Sequence, residues 1–514
     1  MASFYITTAI DYANGDPHIG HAYEKIGADA IARYRRMRGD DVQFLIGMDE
    51  HGQKVAQTAA ERGITPQDQV DEIAERFGGM WARLGISHDQ FMRTTGAQHK
   101  VGVQALIKRI FERNPSDFYE KSYEGWYCVG CEAFKQDAEI VDGKCVLHPT
   151  RTLEWVEERN WFFRLSRYTE FLRELIADTP YVQPASRRNE MLALVEQGLE
   201  DVSASRSRFT WGVPFPVPLS NGETQTTYVW FDALPNYLTA TGFPEPGFDQ
   251  RWPAQLHIIG KDITRFHAII WPAMLVSAEL AIPERVWAHG FVYLGGERFS
   301  KSAGVKLDLN EAIDRYGADA FRYFLLREVP FDADGNFSWE RFEERYNADL
   351  ANAVGNLASR VIAMIEKYRG GVVPSAPPNE LDEADAPDVN AYHAAIDGSR
   401  GYLLHEALQH AMNCAYRGNE YVQSQQPWAL AKRDDAEGAA ALDAVLAAII
   451  RLLARQAMML SPFMPEKAQR LWSQLGGPGA VEDERFSAMQ LLDVSGWRVA
   501  KGEPLFPKEI PAKG

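Results

Sequence analysis

"YANGDPHIGHAYEKIGADAIARYRRMRG", residues 12–39, sets His18 and His21 three apart after Pro17, with Gly20 between them, where a strand gives way to a helix. The preceding "FYITTAI" is rich in β-formers. From Ile19 onward, apolar residues recur at Ala22, Tyr23, Ile26, Ala30, Tyr34 and Met37 with helical spacing until Gly39 stops the run. A second apolar run, "VQFLIG", follows at once, and "DEHGQKVAQTAAERG" reads as another helix with an acidic start. Strand, helix, strand, helix is the grammar of a parallel sheet. The same grammar returns far downstream in "LHIIGKDITRFHAIIWPAML", where a short apolar run meets Gly260 and a helix opens at about Asp262. The expected fold is α/β, a split Rossmann-like doubly wound parallel sheet whose two halves are separated by an insertion.

Beyond about residue 347 the pattern changes to long helical stretches, "LANAVGNLASRVIAMIEKY", "HEALQHAMNCAYRGNEYVQ" and "ALDAVLAAIIRLLARQAMML". A Pro-rich linker, "GGVVPSAPPNELDEADAPD", follows the first of them, so an all-α domain is expected there. A chain of 514 residues is too long for one core, and the length suggests roughly three domains. With 46% apolar and 24% charged residues it reads as an ordinary soluble globular protein, and no apolar run approaches the roughly 20 residues that span a bilayer. "MASFYITTAI" lacks the basic and long apolar regions of a signal peptide, which makes the cytoplasm the expected location. The net charge of −17 argues against a generalised polyanion-binding surface, so any nucleic acid must meet local basic patches.

A helix mouth that follows a parallel strand presents unpaired N–H groups and a partial positive charge to anions. His18 and His21 would project from one face of that first turn, and Gly20 leaves room for a nucleotide to approach the backbone. Such a trio can bind phosphates and stabilise charge developing on one of them, although a histidine at a helix start can also serve simply as a cap. The Gly-x-Gly-x-x-Gly and Walker patterns are absent, which disfavours ordinary dinucleotide and P-loop sites. In "GFVYLGGERFSKSAGVKLDLNEAIDRYG" a Gly-Gly turn leads to Arg298, Ser300, Lys301 and Ser302. A flexible cationic loop suits a departing pyrophosphate; taken alone, it reads equally as a solvated surface loop.

The insertion carries "YCVGCEAFKQDAEIVDGKCVLHPT", which spaces Cys128, Cys131, Cys145 and His148 as C-x2-C-x13-C-x2-H. Three cysteines and one histidine in two tight knuckles suit tetrahedral Zn²⁺ in a closed structural site, with iron the alternative. Only Cys414 lies elsewhere, so four cysteines do not make a disulfide scaffold.

Taken together, "FYITTAIDYANGDPHIGHAYE", "GMDEHG", "YVWFDALPNYL", "IIGKDITRFHAIIWPAML", "GNLASR" and "QPWALAK" resemble the methionyl-tRNA synthetases, of the class I aminoacyl-tRNA synthetases, in the family's order from residue 4 to residue 432. The resemblance is to a short form with a single zinc knuckle. It implies a ligase that converts methionine and ATP, with Mg²⁺, to methionyl adenylate and pyrophosphate, then passes the methionyl group to the 3′ adenosine of its tRNA. It implies five segments: 1–116, the first half of the Rossmann catalytic domain; 117–225, the connective insertion with the zinc knuckle; 226–295, the second catalytic half; 296–346, the signature loop and connecting region; and 347–514, the helical anticodon-binding domain.

The resemblance also carries roles to this chain's residues. ATP would be held by His18, Gly20, His21, Arg298, Ser300, Lys301 and Ser302. His18 and His21 would stabilise the α-phosphate in the transition state while Lys301 follows the β- and γ-phosphates. The family's loop usually begins Lys-Met where this chain has Arg298 and Phe299, and the planar Arg is the less adaptable cation. Around the methionine side chain the resemblance places Ile10, Tyr12, Trp230, Ala233, Leu234, Tyr237, Ile263, His267 and Trp271, with Asp49 on the α-ammonium. A polarisable thioether gains from aromatic edges, and a carboxylate is the natural partner of an ammonium, though large aromatics at such positions also serve as plain core. An apolar pocket discriminates one methylene by only about 1–3 kcal/mol, so homocysteine and norleucine are the difficult competitors. Asn356, Arg360 and Trp428 fall where anticodon bases are read; on their own they also suit a solvated helix face and a packed helix start. Family members often have cysteine where His148 stands.

Two rivals remain. A nucleotidylyltransferase of the same superfamily shares the His-x-Gly-His turn but needs neither the zinc insertion nor the helical domain, and a catalytically silent tRNA-binding paralogue would keep the helices. The 117–225 insertion is too small for the editing domains of synthetases for leucine, isoleucine and valine. The chain ends at "PLFPKEIPAKG" without the domain that dimerises some family members, so a monomer is expected.

Overall fold

The computed structural model describes residues 2–128, 133–135, 139–207, 209–295, 297–298 and 307–508. At its centre is a seven-stranded sheet built from β1 (Ser3–Thr8), β2 (Asp11–Tyr12), β3 (Asp41–Asp49), β4 (Gln90–Arg93), β5 (Val182–Gln183), β6 (Leu256–Gly260) and β7 (Val286–His289). The spatial order is β5-β7-β6-β1-β3, with β2 and β4 both paired to β3, and each of these pairings is parallel. Phe4 to Thr8 of β1 are all buried, as expected of a strand with both faces covered. β1 is flanked by β3 from before the insertion and by β6 from after it, and the chain changes direction across the sheet between them. In open parallel sheets the crevice at the strands' carboxyl ends beside such a switch point is where ligands bind. β5, within the segment 117–225, returns from the insertion to this sheet's edge.

Helix α1 (Ile19–Arg38) crosses over from β1 to β3 and ends as its sequence indicates: Gly39, with φ 94°, adopts the left-handed cap that a side chain would resist. The helix expected to have an acidic start runs instead over Gln53–Arg62 with no acid in its first turn. Pairing with β4 as far as Met48 and with β2 at Met48 and Asp49 extends β3 to Asp49, leaving Glu50 and His51 in the connecting loop. The insertion forms a second, antiparallel sheet around the long pair Phe118–Cys128 and Glu154–Phe163.

In the helical domain the linker is shorter than expected. From Glu380 the "Pro-rich" stretch is the helix Glu380–Ile396, capped by Asn379 reciprocally with Asp382 and carrying Pro387 in its interior. An interior proline costs a helix about 3 kcal/mol. Offsetting this, Asp382, Asp385 and Asp388 face three arginines: Arg451 and Arg455 each meet Asp382, Arg455 meets Asp385 at 2.6 Å, and Arg417 bridges Asp385 and Asp388. The first helical run also divides, into a π-helical stretch Tyr346–Gly355 followed by the α-helix Asn356–Arg369.

One buried arginine joins the catalytic sheet to the helical domain. Arg322, on the helix Ala318–Glu328 and fully buried, meets Asp29 of α1 at 2.6 Å and donates to the carbonyls of Leu84, Pro462 and Phe463. Asp29 also accepts from Arg33 and from the backbone N–H and hydroxyl of Ser87. No helix among the described residues is long and apolar enough to cross a membrane.

Candidate active site

The strand ends and the mouth of α1 enclose a cavity of about 330 Å³. Its walls are Ala9 to Tyr12 after β1, His18, Gly20, His21 and Glu24 of α1, Gly260, Asp262 and Ile263 after β6, and 289–292 after β7. His18 is the N-cap of α1: its Nδ1 accepts from the backbone N–H of Gly20 at 3.1 Å, and His21 Nδ1 accepts from the N–H of His18 at 3.3 Å. The rings stack with centroids 3.6 Å apart. A nitrogen that accepts carries no proton, so these bonds place each ring's proton on Nε2, the nitrogen able to donate to a phosphate oxygen. The cap and anion-site readings of the pair are therefore compatible. A Cβ at Gly20 would stand 3.1 Å from His18 Cε1, so any side chain there would press on this ring.

Beneath the cavity lies a charged cluster that apolar periodicity conceals. Lys25 is fully buried; it meets Asp11 at 2.7 Å and Glu24 at 2.8 Å, and donates to Ala9 O. Glu24 in turn contacts His289 at 3.2 Å. Burial pushes the Asp11 carboxyl up to about 7 against the opposing pull of Lys25. At Glu24 burial works the same way, but Lys25 and His289 outweigh it and hold the carboxyl below its ordinary value.

A second, narrow cavity of about 30 Å³ opens off the same strand ends and shares Ala9, Ile10 and Ile263 with the first. Asp49, Trp230, Ala233, Leu234, Asn236, Tyr237 and His267 complete it. Trp230 stacks flat on Phe266, with centroids 3.7 Å apart. His267 Nδ1 lies 3.1 Å from Ile263 O, to which it can only donate, so Nε2 accepts from the Tyr237 hydroxyl at 2.7 Å. Burial lowers the His267 pKa to about 4, so the ring is a neutral wall. Of the ten residues expected around an amino acid, Ile10, Asp49, Trp230, Ala233, Leu234, Tyr237, Ile263 and His267 line this space. Tyr12 lines the larger cavity instead. Trp271 lines neither; it stands behind Tyr237 and donates to His257 at 3.3 Å.

The strand Glu297–Arg298 pairs with Val292–Leu294, whose Val292 lines the larger cavity. Ser300, Lys301 and Ser302 lie outside the described residues, as do Cys131 and the side chain of Arg298. In the insertion, ligand atoms of Cys128, Cys145 and His148 lie within 4.8 Å of one another, with Cys128 Sγ 3.8 Å from His148 Nδ1. These separations suit three corners of one tetrahedron with Zn–S of about 2.3 Å and Zn–N of about 2.0 Å. Asn356 is exposed at the start of its helix, Arg360 is half-buried one turn on, and Trp428 is half-buried in the short helix Pro427–Leu430; none of the three lines either cavity. Both helices pack against Ala436–Leu460.

Glu24, Lys25, Asp262 and His289 are absent from the sequence-based site. Asp262 sits within the quoted motif "IIGKDITRFH" and was a visible signal; Glu24 and Lys25 look like an ordinary solvent-facing pair inside the helical run.

Comparison with known proteins agrees with this geometry. The family described as tRNA synthetases class I (M) matches residues 4–152 and 138–362, and the anticodon binding domain of methionyl tRNA ligase matches residues 390–509. The methionine–tRNA ligase of Caldanaerobacter subterraneus subsp. tengcongensis is 43% identical over 98% of this chain and 79% of that protein. That of Brucella suis biovar 1 is 43% identical over 99% of this chain and 98% of its own length. Mycobacterium tuberculosis methionyl-tRNA synthetase in complex with methionyl-adenylate superposes with a TM-score of 0.92 at 39% identity, covering 99% of this chain and 100% of that one. Its free-state form superposes with a TM-score of 0.86 at 36% identity, covering 100% and 99%. The chain belongs to the methionyl-tRNA synthetase family of the class I tRNA synthetases.

Proposed function

We propose that this chain activates methionine with ATP to methionyl adenylate and pyrophosphate, then transfers the methionyl group to the 3′ adenosine of a methionine-accepting tRNA. The observation that carries this reading is the meeting of two cavities at one set of strand ends, one framed by the His18/His21 helix mouth and the other by an aromatic wall with Asp49. ATP lies with its phosphates at the mouth of α1, where Nε2 protons and backbone N–H groups favour the charge that develops on the α-phosphate; this is positioning and electrostatics rather than covalent catalysis. Lys301 follows the β- and γ-phosphates, Arg298, Ser300 and Ser302 also contact ATP, and Mg²⁺ arrives with the phosphates rather than in a protein cage. Asp49 receives the α-ammonium, and the thioether lies among Ile10, Trp230, Tyr237 and His267. Asn356, Arg360 and Trp428 serve the anticodon bases by hydrogen bonding and stacking.

The test is methionine-dependent ATP–pyrophosphate exchange, with leucine, norleucine and homocysteine as competitors, followed by tRNA charging. Exchange that does not depend on methionine sinks the reading. Exchange without charging points to a nucleotidylyltransferase, and charging competence without exchange is impossible for this mechanism.

We infer that Cys128, Cys131, Cys145 and His148 hold one structural Zn²⁺, which on binding ties the tip of the insertion together. The purified protein is expected to contain about one zinc per chain. Chelation unfolds the knuckle and lowers tRNA charging more than pyrophosphate exchange, because both cavities lie on the catalytic sheet. Elemental analysis finding no zinc after chelator-free purification would refute the site.

A further inference from the structure

Behind the narrow cavity a single carboxylate ties three of its wall segments together. Asp232 lies on the short helix Val229–Ala233, whose Trp230 and Ala233 line the cavity. Its Oδ2 is 2.7 Å from His51 Nδ1, and its Oδ1 is 3.0 Å from His99 Nε2. His51 follows Asp49 by two residues in the loop after β3. His99, on the helix Ala97–Arg113, places its other ring nitrogen 2.9 Å from Thr239 Oγ1. Thr239 closes the helix Asn236–Thr239, whose Asn236 and Tyr237 line the cavity. Asp232, His51, His99 and Thr239 are each at most 2% exposed, so water does not compete for these bonds.

We propose that Asp232 is a positioning residue for the amino-acid pocket: by accepting from His51 on one side and His99 on the other, it holds Asp49 at a set distance from the wall formed by Trp230 and Tyr237. The inference rests on the reading of this cavity as the methionine site. The argument is geometric. Asp49 stands at the end of β3, paired there with Tyr12 and accepting from Ala13 N–H at its carbonyl, and the loop that follows it is held by Glu50 N–H on Thr94 and by the Trp211 indole on Glu50 O. The tie from the loop to the opposite wall passes through His51 and Asp232. Burial alone would raise the Asp232 carboxyl, but the two imidazoles outweigh it and hold it well below the carboxylate range, so it accepts as an anion. Because the ammonium contact is made in both ground and transition states, losing its alignment weakens methionine binding more than turnover.

The histidines allow a shape-preserving control. An asparagine amide can replace Nδ1 of His51 as donor, and a glutamine amide can replace Nε2 of His99, whereas leucine donates nothing. In the full-length protein, exchange kinetics are measured with methionine varied at saturating ATP and with ATP varied at saturating methionine. Asp232→Asn, His51→Leu and His99→Leu are expected to raise KM for methionine by about 10- to 100-fold, with KM for ATP within about 2-fold of wild type. His51→Asn and His99→Gln are expected to keep KM for methionine within about 3-fold of wild type. Should Asp232→Asn fail to fold by thermal unfolding, the two histidine pairs decide the same question. An unchanged methionine KM in Asp232→Asn overturns the proposal, as does an equal rise in both KM values or equal damage from the leucine and amide variants. A wild-type protein without methionine-dependent exchange would instead defeat the reading of the cavity itself.

Discussion

Replacing His18 and His21 together by alanine is expected to lower methionine-dependent ATP–pyrophosphate exchange by at least about 10²-fold, the usual loss when a donor to developing charge is removed. Alanine also removes an N-cap worth about 1 kcal/mol, so the double alanine variant mixes two effects. Asparagine separates them. At position 18 it is among the best caps, and its oxygen can accept from Gly20 N–H as His18 Nδ1 does. At position 21 it can accept from His18 N–H. The double asparagine variant therefore keeps the helix start yet lacks the ring Nε2 donors. It is expected to unfold at the wild-type temperature while losing most of the exchange rate, with methionine affinity little changed because neither histidine lines the narrow cavity. If the double alanine variant exchanges at the wild-type rate, "PHIGH" is a cap and nothing more.

Arg322→Met is expected to destabilise the protein by about 3–5 kcal/mol, since it removes a fully buried charge partner of Asp29, leaving Arg33 and Ser87, and takes the donor from the carbonyls of Leu84, Pro462 and Phe463. A chain of several domains need not unfold in one step, so the measurement is the shift of the first transition in urea, followed by both far-UV signal and exchange activity. Replacing Asp29 as well, by asparagine, should recover part of the loss, because removing both charges costs less than removing one. A shift below about 1 kcal/mol would mean that the staple contributes no more than a surface pair. The pH dependence has a definite sign. Burial would raise the Asp29 carboxyl, but Arg33, Arg322 and Ser87 outweigh it and hold it well below the carboxylate range. A group depressed in the folded state stabilises above its unfolded value, about 3.9 for Asp, and that contribution is lost as pH falls below it. Without Arg322 the Asp29 carboxyl lies closer to its unfolded value, so the stability lost from this group on acidification should be smaller than in wild type.

Local patterns were legible where one element makes them. The strand and helix alternation, the stop at Gly39 and the cysteine spacing each need only neighbours in the chain. The helix over Glu380–Ile396 was not legible, because Pro387 and the run of acids argue locally for a linker. Arginines 417, 451 and 455, on two other helices, turn those acids into rungs. The β3 end was misplaced for a similar reason: pairing with β4 and β2 extends it as far as Asp49.

By itself the sequence determined the α/β class with its inserted and helical segments, and the family. These follow from periodicity, turn residues and ordered motifs, all of which are local. Only the tertiary structure decided that His18 is both cap and cavity wall, that Lys25 is buried between Asp11 and Glu24, that Trp271 stands behind the pocket, and that Asp232 joins His51 to His99. Each depends on groups brought together from distant parts of the chain or on burial. A charged residue's role is set by what surrounds it after folding, and that is not written in its neighbours.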